Sequence, residues 1–326
     1  MQTSVTDSSA ELWDTIIIGG GVAGLSGSLM LGRARRRVLV IDAGTPRNRF
    51  AAHMHAVLGH EGIDPAELLR IGRADASAFG VEFADASVTR VDDVPDELRV
   101  TTDTATSYVT RSLIVATGIT DRLPDIPGLS EHWGTNVLHC PYCHGWEVRD
   151  RRLGVIAISP MSLHQVQLLR QWSDDVVFFA DLAGPLDEQT RARLGARDIR
   201  IVDQQVVEVL NNGGTLSGVR LEDGSIVEID AIFTGGAPEP HDRMLEHLNL
   251  DRVDGPMGNV IAVDAVGQTS DPRVWAVGNV VNPAANVPLA MGTGSFTGAA
   301  VNAALVTQDF DTAVDRTSKD AAEVGA

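Results

Sequence analysis

The run Ile16-Ile17-Ile18-Gly19-Gly20-Gly21-Val22-Ala23-Gly24 decides how the rest of the chain is read. It sets G-x-G-x-x-G between an apolar strand at 14–18 and a helical segment at 22–31. The next strand, 37–41, is followed by Asp42, 23 residues after Gly19. Gly19 permits the tight turn, Gly21 lets backbone N–H groups approach a pyrophosphate, and Gly24 lets helix and strand pack closely. Asp42 is placed to accept hydrogen bonds from ribose hydroxyls. The motif in this setting predicts a bound dinucleotide without choosing between NAD and FAD.

The same design occurs again. A strand at 152–158, a helix at 163–172 and a strand at 175–179 form a second βαβ unit. The strand 112–116 closes the first unit before Thr117-Gly118, and 231–233 closes the second before Thr234-Gly235-Gly236. Short alternating strands with turn residues precede each closing strand. The expected fold is therefore α/β, two Rossmann-like dinucleotide-binding domains of the three-layer ββα type. The expected boundaries are 11–119 and 241–308 for a discontinuous first domain, with 120–240 between them. Residues 1–10 and 309–326, polar and acidic, are expected to be frayed.

The second unit is degenerate. Its turn reads Ala157-Ile158-Ser159-Pro160-Met161-Ser162, with no glycine and with a proline that lacks an N–H. Past its second strand comes Ala180-Asp181-Leu182, where a 2′-phosphate would need cations. Asp181 leaves open a hold on the ribose of NADH.

A formal charge of −18 opposes binding to nucleic acid or anionic membranes, which draws on Lys and Arg. No run of about 20 apolar residues lacks both charges and a glycine cluster, so no membrane span is expected. Residues 1–13 have no basic or long apolar segment of a signal peptide, and a cytoplasmic location is expected. The 2 cysteines are too few for a disulfide scaffold.

Those cysteines lie in His139-Cys140-Pro141-Tyr142-Cys143-His144-Gly145-Trp146-Glu147. C-x-x-C spacing closes a small disulfide ring, and a neighbouring imidazole can take a proton from an attacking thiol. A zinc site from these four His and Cys side chains is disfavoured, because adjacent His-Cys pairs do not converge easily on one tetrahedral centre; no metal is expected. Cys140, Cys143, His144 and His139 are the candidate catalytic residues. His53, His55 and His60 follow as candidate pocket residues, and Trp146 and Trp133 are read as core in preference to walling the pocket.

With these residues in view, the chain resembles the low-molecular-weight thioredoxin reductases over about 12–306. The resemblance rests on GGGVAG, Asp42, the LIVATG strand end, the C-x-x-C and AVGN near the C-terminus. PRNR at 46–49 and CPYCHGWE look like the branch of dithiol oxidases of holomycin and gliotoxin type. The resemblance implies FAD, held by Gly19, Gly21, Val22, Ala23, Gly24, Asp42, Ala43, Arg47, Asn48, Thr117, Gly118, Gly278, Asn279, Phe296 and Thr297. It implies a homodimer, Cys143 nearest the flavin, and Cys140 exchanging with substrate. The family's aspartate at the AxGD motif is replaced here by Asn279. The partners implied are a small-molecule dithiol or disulfide and O2, with a thioredoxin-like protein as a lesser alternative. The expected activity is FAD-dependent dithiol oxidation with H2O2 release. Alternatives are an NAD(P)H- or ferredoxin-dependent disulfide reductase and a non-catalytic flavin redox sensor.

Overall fold

The structure is a computed structural model that describes residues 12–324, and the chain forms two compact units. One takes the residues through Pro46, Ala66–Thr120 and those from Pro240 on; the other takes Arg47–Pro65 and Asp121–Glu239.

In the first unit the strands Leu12–Ile18, Val38–Asp42 and Glu82–Asp85 run parallel, and Leu12–Ile18 also pairs in parallel with Ser107–Val115. Val88–Val94 and Glu97–Thr102 extend the sheet antiparallel from Ser107–Val115, while Val274–Ala276 pairs with that strand in parallel. Alternation divides the strands between two cores. Ile16, Ile18, Leu113 and Val115 join one cluster, and Ile17, Val40 and Ile114 join the other. Both faces of the central strands are thus covered, which explains their unbroken apolar sequences.

The second unit repeats the plan with a parallel sheet ordered Arg200–Val202, Val176–Phe179, Leu153–Ile156, Ala231–Phe233, Val137–Leu138. An antiparallel meander, Val206–Asn212, Thr215–Leu221 and Ile226–Glu228, lies beside it in sequence. The duplicated Rossmann-like reading is observed.

One segment was assigned to the other unit. Residues 47–65, expected within the first domain, pack with the second. Arg47 makes a two-pronged ion pair to Asp121, with both contacts at 2.7 Å. Gly134, at φ 83°, admits Phe50 so closely that a Cβ would lie 2.6 Å from the Phe50 Cβ. These contacts, absent from any local pattern, hold the excursion.

The last helix, Val287–Val324, packs on the helix Val22–Arg33. Its part Val287–Ser318 is long and apolar enough by composition to cross a membrane. Within this unit, Ala290, Val301 and Leu305 supply a core face instead. The expected fraying from 309 is corrected: the helix continues to Val324, with Asp309 paired to Arg36 at 2.8 Å and Arg111 at 2.6 Å. Residues 1–10 lie outside the described residues.

The two helices approach through glycine. A Cβ at Gly294 would stand 2.1 Å from the Ala23 carbonyl oxygen, whereas one at Gly292 would meet nothing within 4 Å. Gly294→Ala is expected to cost about 1–3 kcal/mol and lower the melting temperature by several degrees. Gly292→Ala is expected to melt at or above the wild type, as alanine favours helix; equal melting of the two variants would contradict the contact.

Candidate redox site and nucleotide cradle

The nucleotide cradle is built by clearance. Gly19 has φ 106°, and its Cβ would lie 2.4 Å from the Ala116 carbonyl oxygen. A Cβ on Gly24 would lie 2.0 Å from the Gly19 carbonyl oxygen, so neither position tolerates a side chain. Gly21 differs: nothing stands within 4 Å of its would-be Cβ. Open space there, in front of the first amides of the helix at Val22 and Ala23, fits a pyrophosphate. Asp42 ends its strand beside Gly20, whose Cβ would be 2.7 Å from the carboxyl carbon, and exposed Ala43 follows.

Other expected cradle residues fall into two groups. Thr117 keeps a buried hydroxyl without a hydrogen-bond partner, as a group waiting for a ligand atom would. Gly118, at φ 71°, carries the strand end onward, and the Gly118 carbonyl accepts from the His241 N–H at 3.1 Å. The His241 ring also bonds the Thr117 carbonyl at 3.2 Å and the Thr120 hydroxyl at 2.8 Å. No sequence signal had singled out His241. Phe296 is exposed, whereas Thr297 is buried and donates its hydroxyl to the Val266 carbonyl at 3.0 Å. Arg47 and Asn48 lie on the excursion grouped with the second unit.

Asn279 has a structural reason for not being an aspartate. Its Nδ2 donates to the carbonyls of Asn282, Pro283 and Ala285 at 3.1, 3.3 and 2.9 Å, folding the turn after Gly278. A carboxylate has no proton to offer those oxygens.

In the second unit most amides of the equivalent turn are bonded within it. Ile158 N–H donates to the Ser162 hydroxyl at 3.1 Å, and Met161 N–H to the Ser159 hydroxyl at 3.3 Å. The amides of Ser162, Leu163 and His164 donate to the carbonyls of Ser159, Pro160 and Met161. A phosphate would have to break these bonds. The cleft at the carboxyl ends of this sheet is lined by Ile156, Ala157, Phe179 and Leu182 among others, and its charged side chains are Asp125 and Asp181.

The same unit carries the sulfur chemistry. Cys140 and Cys143 form a disulfide, with Cα atoms 5.2 Å apart, as their spacing predicts. Cys140 precedes the single helical turn Pro141–His144, and its carbonyl accepts from the amides of Cys143 and His144 at 3.1 Å each. Gln165 anchors the approach by donating to the His139 carbonyl at 2.7 Å.

The two neighbouring histidines differ. The buried His139 Nδ1 has no partner; burial, then the Arg47 charge, lowers its proton affinity, opposed by Asp121. His144 is half-buried, and its pKa is likewise lowered, first by burial and then by His55 and His139, with Glu147 opposing. Of the earlier histidines, only His55 reaches this place, with ring centroids 6.2 Å apart and planes at 89° to His144. His53 and His60 are exposed. Trp133 is partly buried against the core as expected, but Trp146 is 64% exposed with Arg149 over its ring, which corrects its assignment to the core.

A glycine turn open at a helix start and a C-x-x-C disulfide point to one class. The family model of pyridine nucleotide-disulphide oxidoreductases matches residues 13–294. The chain belongs to that family. Among its pyridine nucleotide-disulphide oxidoreductase relatives is the thioredoxin reductase tcpT of Claviceps purpurea, 29% identical over 89% of this chain and 94% of the relative. The crystal structure of HlmI is 41% identical with a TM-score of 0.89, covering 95% of this chain and 97% of that one. An oxidoreductase from Agrobacterium tumefaciens is 36% identical with a TM-score of 0.86, covering 91% and 99%. The resemblance to thioredoxin reductase-like members of this family thus holds, and the chain is an oxidoreductase by family.

Restoring the family's usual residue gives a test of the Asn279 turn. Asn279→Asp is expected to cost about 1–3 kcal/mol, because a carboxylate would face three carbonyl oxygens. Thermal melting at neutral pH checks this, and the loss should shrink as the pH falls through the carboxylate range. An unchanged melt would refute the role given to Nδ2.

Proposed function

We propose that this chain is an FAD-dependent dithiol oxidase that forms a disulfide in a small-molecule dithiol through Cys140 and Cys143 and passes the electrons to O2, releasing H2O2. The observation that carries it is the contrast between the two turns. Gly21 fronts open space, whereas the amides of Met161, Ser162, Leu163 and His164 are bonded within their own loop. The chain is prepared for one dinucleotide, and the reducing equivalents then have to enter through sulfur.

In the proposed reaction, a substrate thiol gives its proton to solvent and attacks the Cys140 sulfur as the thiolate, forming a mixed disulfide and releasing the Cys143 thiolate. His144 takes a proton from the second substrate thiol. That thiolate attacks the substrate sulfur of the mixed disulfide, closes the product disulfide and frees Cys140. The substrate loses two electrons and two protons; the cysteines gain the electrons. The freed Cys140 thiolate takes a proton back from solvent, so one proton ends on the Cys140 thiol and the other on His144. FAD, when bound, supplies the acceptor that returns the cysteines to the disulfide and hands the electron pair to O2. His144 suits its part because burial favours its neutral form, so it accepts protons below the usual imidazole range near pH 6.5.

The names of relatives such as tcpT favour a second reading, an NAD(P)H-dependent disulfide reductase. The acidic cleft at Asp125 and Asp181 weighs against NADPH there.

Anaerobic addition of dithiothreitol is expected to bleach the flavin, and air to restore it. Cys143→Ser is expected to abolish bleaching, and His144→Gln to slow it by about 10²–10⁴-fold. Undiminished bleaching of Cys143→Ser would remove the cysteines from the path.

A further inference from the structure

The helix Ser162–Leu169 and the chain leaving it touch the cysteine turn both before and after the cysteines. Before them, the Gln165 side-chain amide donates to the His139 carbonyl at 2.7 Å. After them, Trp172 lies against Gly145. A Cβ on buried Gly145 would stand 2.8 Å from the indole Cδ2 and 3.0 Å from Cε2, so the ring rests on bare backbone. Gly145 in turn closes the helical turn Pro141–His144, its N–H donating to the Pro141 carbonyl at 2.7 Å. The ring of Tyr142, between the two cysteines, stands edge-on to the indole, with centroids 5.8 Å apart and planes at 89°. Trp172 is itself fixed. Its backbone N–H donates to the Leu169 carbonyl at 2.9 Å, and its carbonyl accepts from the Asp150 N–H at 2.8 Å. Its side chain packs against the core that contains Leu169 and Phe178.

Cys140 and Cys143, with Cα atoms 5.2 Å apart, thus ride on one short turn. A single helical turn is marginal by itself, so its shape is set by what it rests on. We propose that Trp172 is a positioning residue, with Gln165 as its counterpart, that holds the turn in the form in which the two sulfurs are joined and so favours the disulfide over the dithiol. The proposal rests on the dithiol-oxidation reading, in which substrate reduces this pair and the pair re-forms. Two reacting groups kept at one separation have a raised effective concentration. Without the indole behind it, the turn is free to open once the sulfurs part, and the reduced form is favoured.

The test equilibrates the oxidised holoprotein anaerobically with mixtures of reduced and oxidised dithiothreitol, quenches with acid, and counts alkylated cysteines by mass. In the exchange, dithiothreitol loses two electrons and two protons as its own sulfur–sulfur bond forms. The Cys140–Cys143 bond breaks, and its sulfurs take both electrons and both protons as thiols. The chain has 2 cysteines, so the count reports this pair alone. Trp172→Leu is expected to raise the equilibrium constant for reduction about tenfold, which is about 30 mV upward in potential. Trp172→Phe, which keeps a flat ring, is expected to stay near the wild-type value. Gln165→Leu, which frees the His139 carbonyl, is expected to shift the constant in the same direction as Trp172→Leu, and stands in should that variant not fold. A constant unchanged in both leucine variants, even with a lowered melting temperature, would mark these contacts as packing alone and overturn the proposal. Equal shifts for Phe and Leu at position 172 would overturn it too, and either result leaves dithiol oxidation intact. Wild-type protein whose cysteines stay unreduced at every dithiothreitol ratio would overturn the dithiol reading and this one with it.

Discussion

Each backbone amide needs an acceptor, and the glycine-rich and serine-rich turns of this chain meet that need differently. In the first unit, glycines at 19 and 24 let strand, turn and helix close on one another while Gly21 leaves the helix start uncovered. In the second, the hydroxyls of Ser159 and Ser162 and the carbonyls of Ser159, Pro160 and Met161 take the amides of the corresponding turn. The folds are alike and the sheets share their order of parallel strands around a closing strand, yet the two turns differ in how many of their amides are bonded within the loop.

What the second unit keeps is a platform for the cysteines. The parallel strands Val137–Leu138 and Ala231–Phe233 place His139 and Cys140 at a sheet end, and Gln165 from the adjoining helix secures the backbone before them. The excursion 47–65 then adds charges from a distant part of the sequence. Arg47 and Asp121 stand near His139, and His55 stands near His144, so the two imidazoles flanking the cysteine motif have separate surroundings. Of the two rings, His139 keeps a buried Nδ1 with no partner, while half-buried His144 meets His55 edge-on.

Much of this was legible in the residues. Apolar strands covered on both faces, glycine spacing and the terminal Asp42 announced the first cradle, because each is a local rule with a fixed period or offset. The C-x-x-C pair declared itself by spacing. The Ser-Pro-Met-Ser turn showed its missing glycines, but the reuse of its amides by its own serines needed coordinates. Hidden as well was the docking of 47–65, which depends on Phe50 meeting Gly134 and Arg47 meeting Asp121, contacts between residues 84 and 74 positions apart. The bond from the Thr297 hydroxyl to the Val266 carbonyl, 31 positions away, likewise needed coordinates. The exposure of Trp146 escaped because a tryptophan's burial is decided by which neighbours arrive, not by its type.

The entry of electrons through sulfur is tested most directly by anaerobic stopped-flow, mixing the oxidised flavoprotein separately with dithiothreitol, NADH and NADPH. The account predicts flavin reduction by the dithiol alone on the timescale of turnover. Faster reduction by either nicotinamide, with saturation in its concentration, would contradict it.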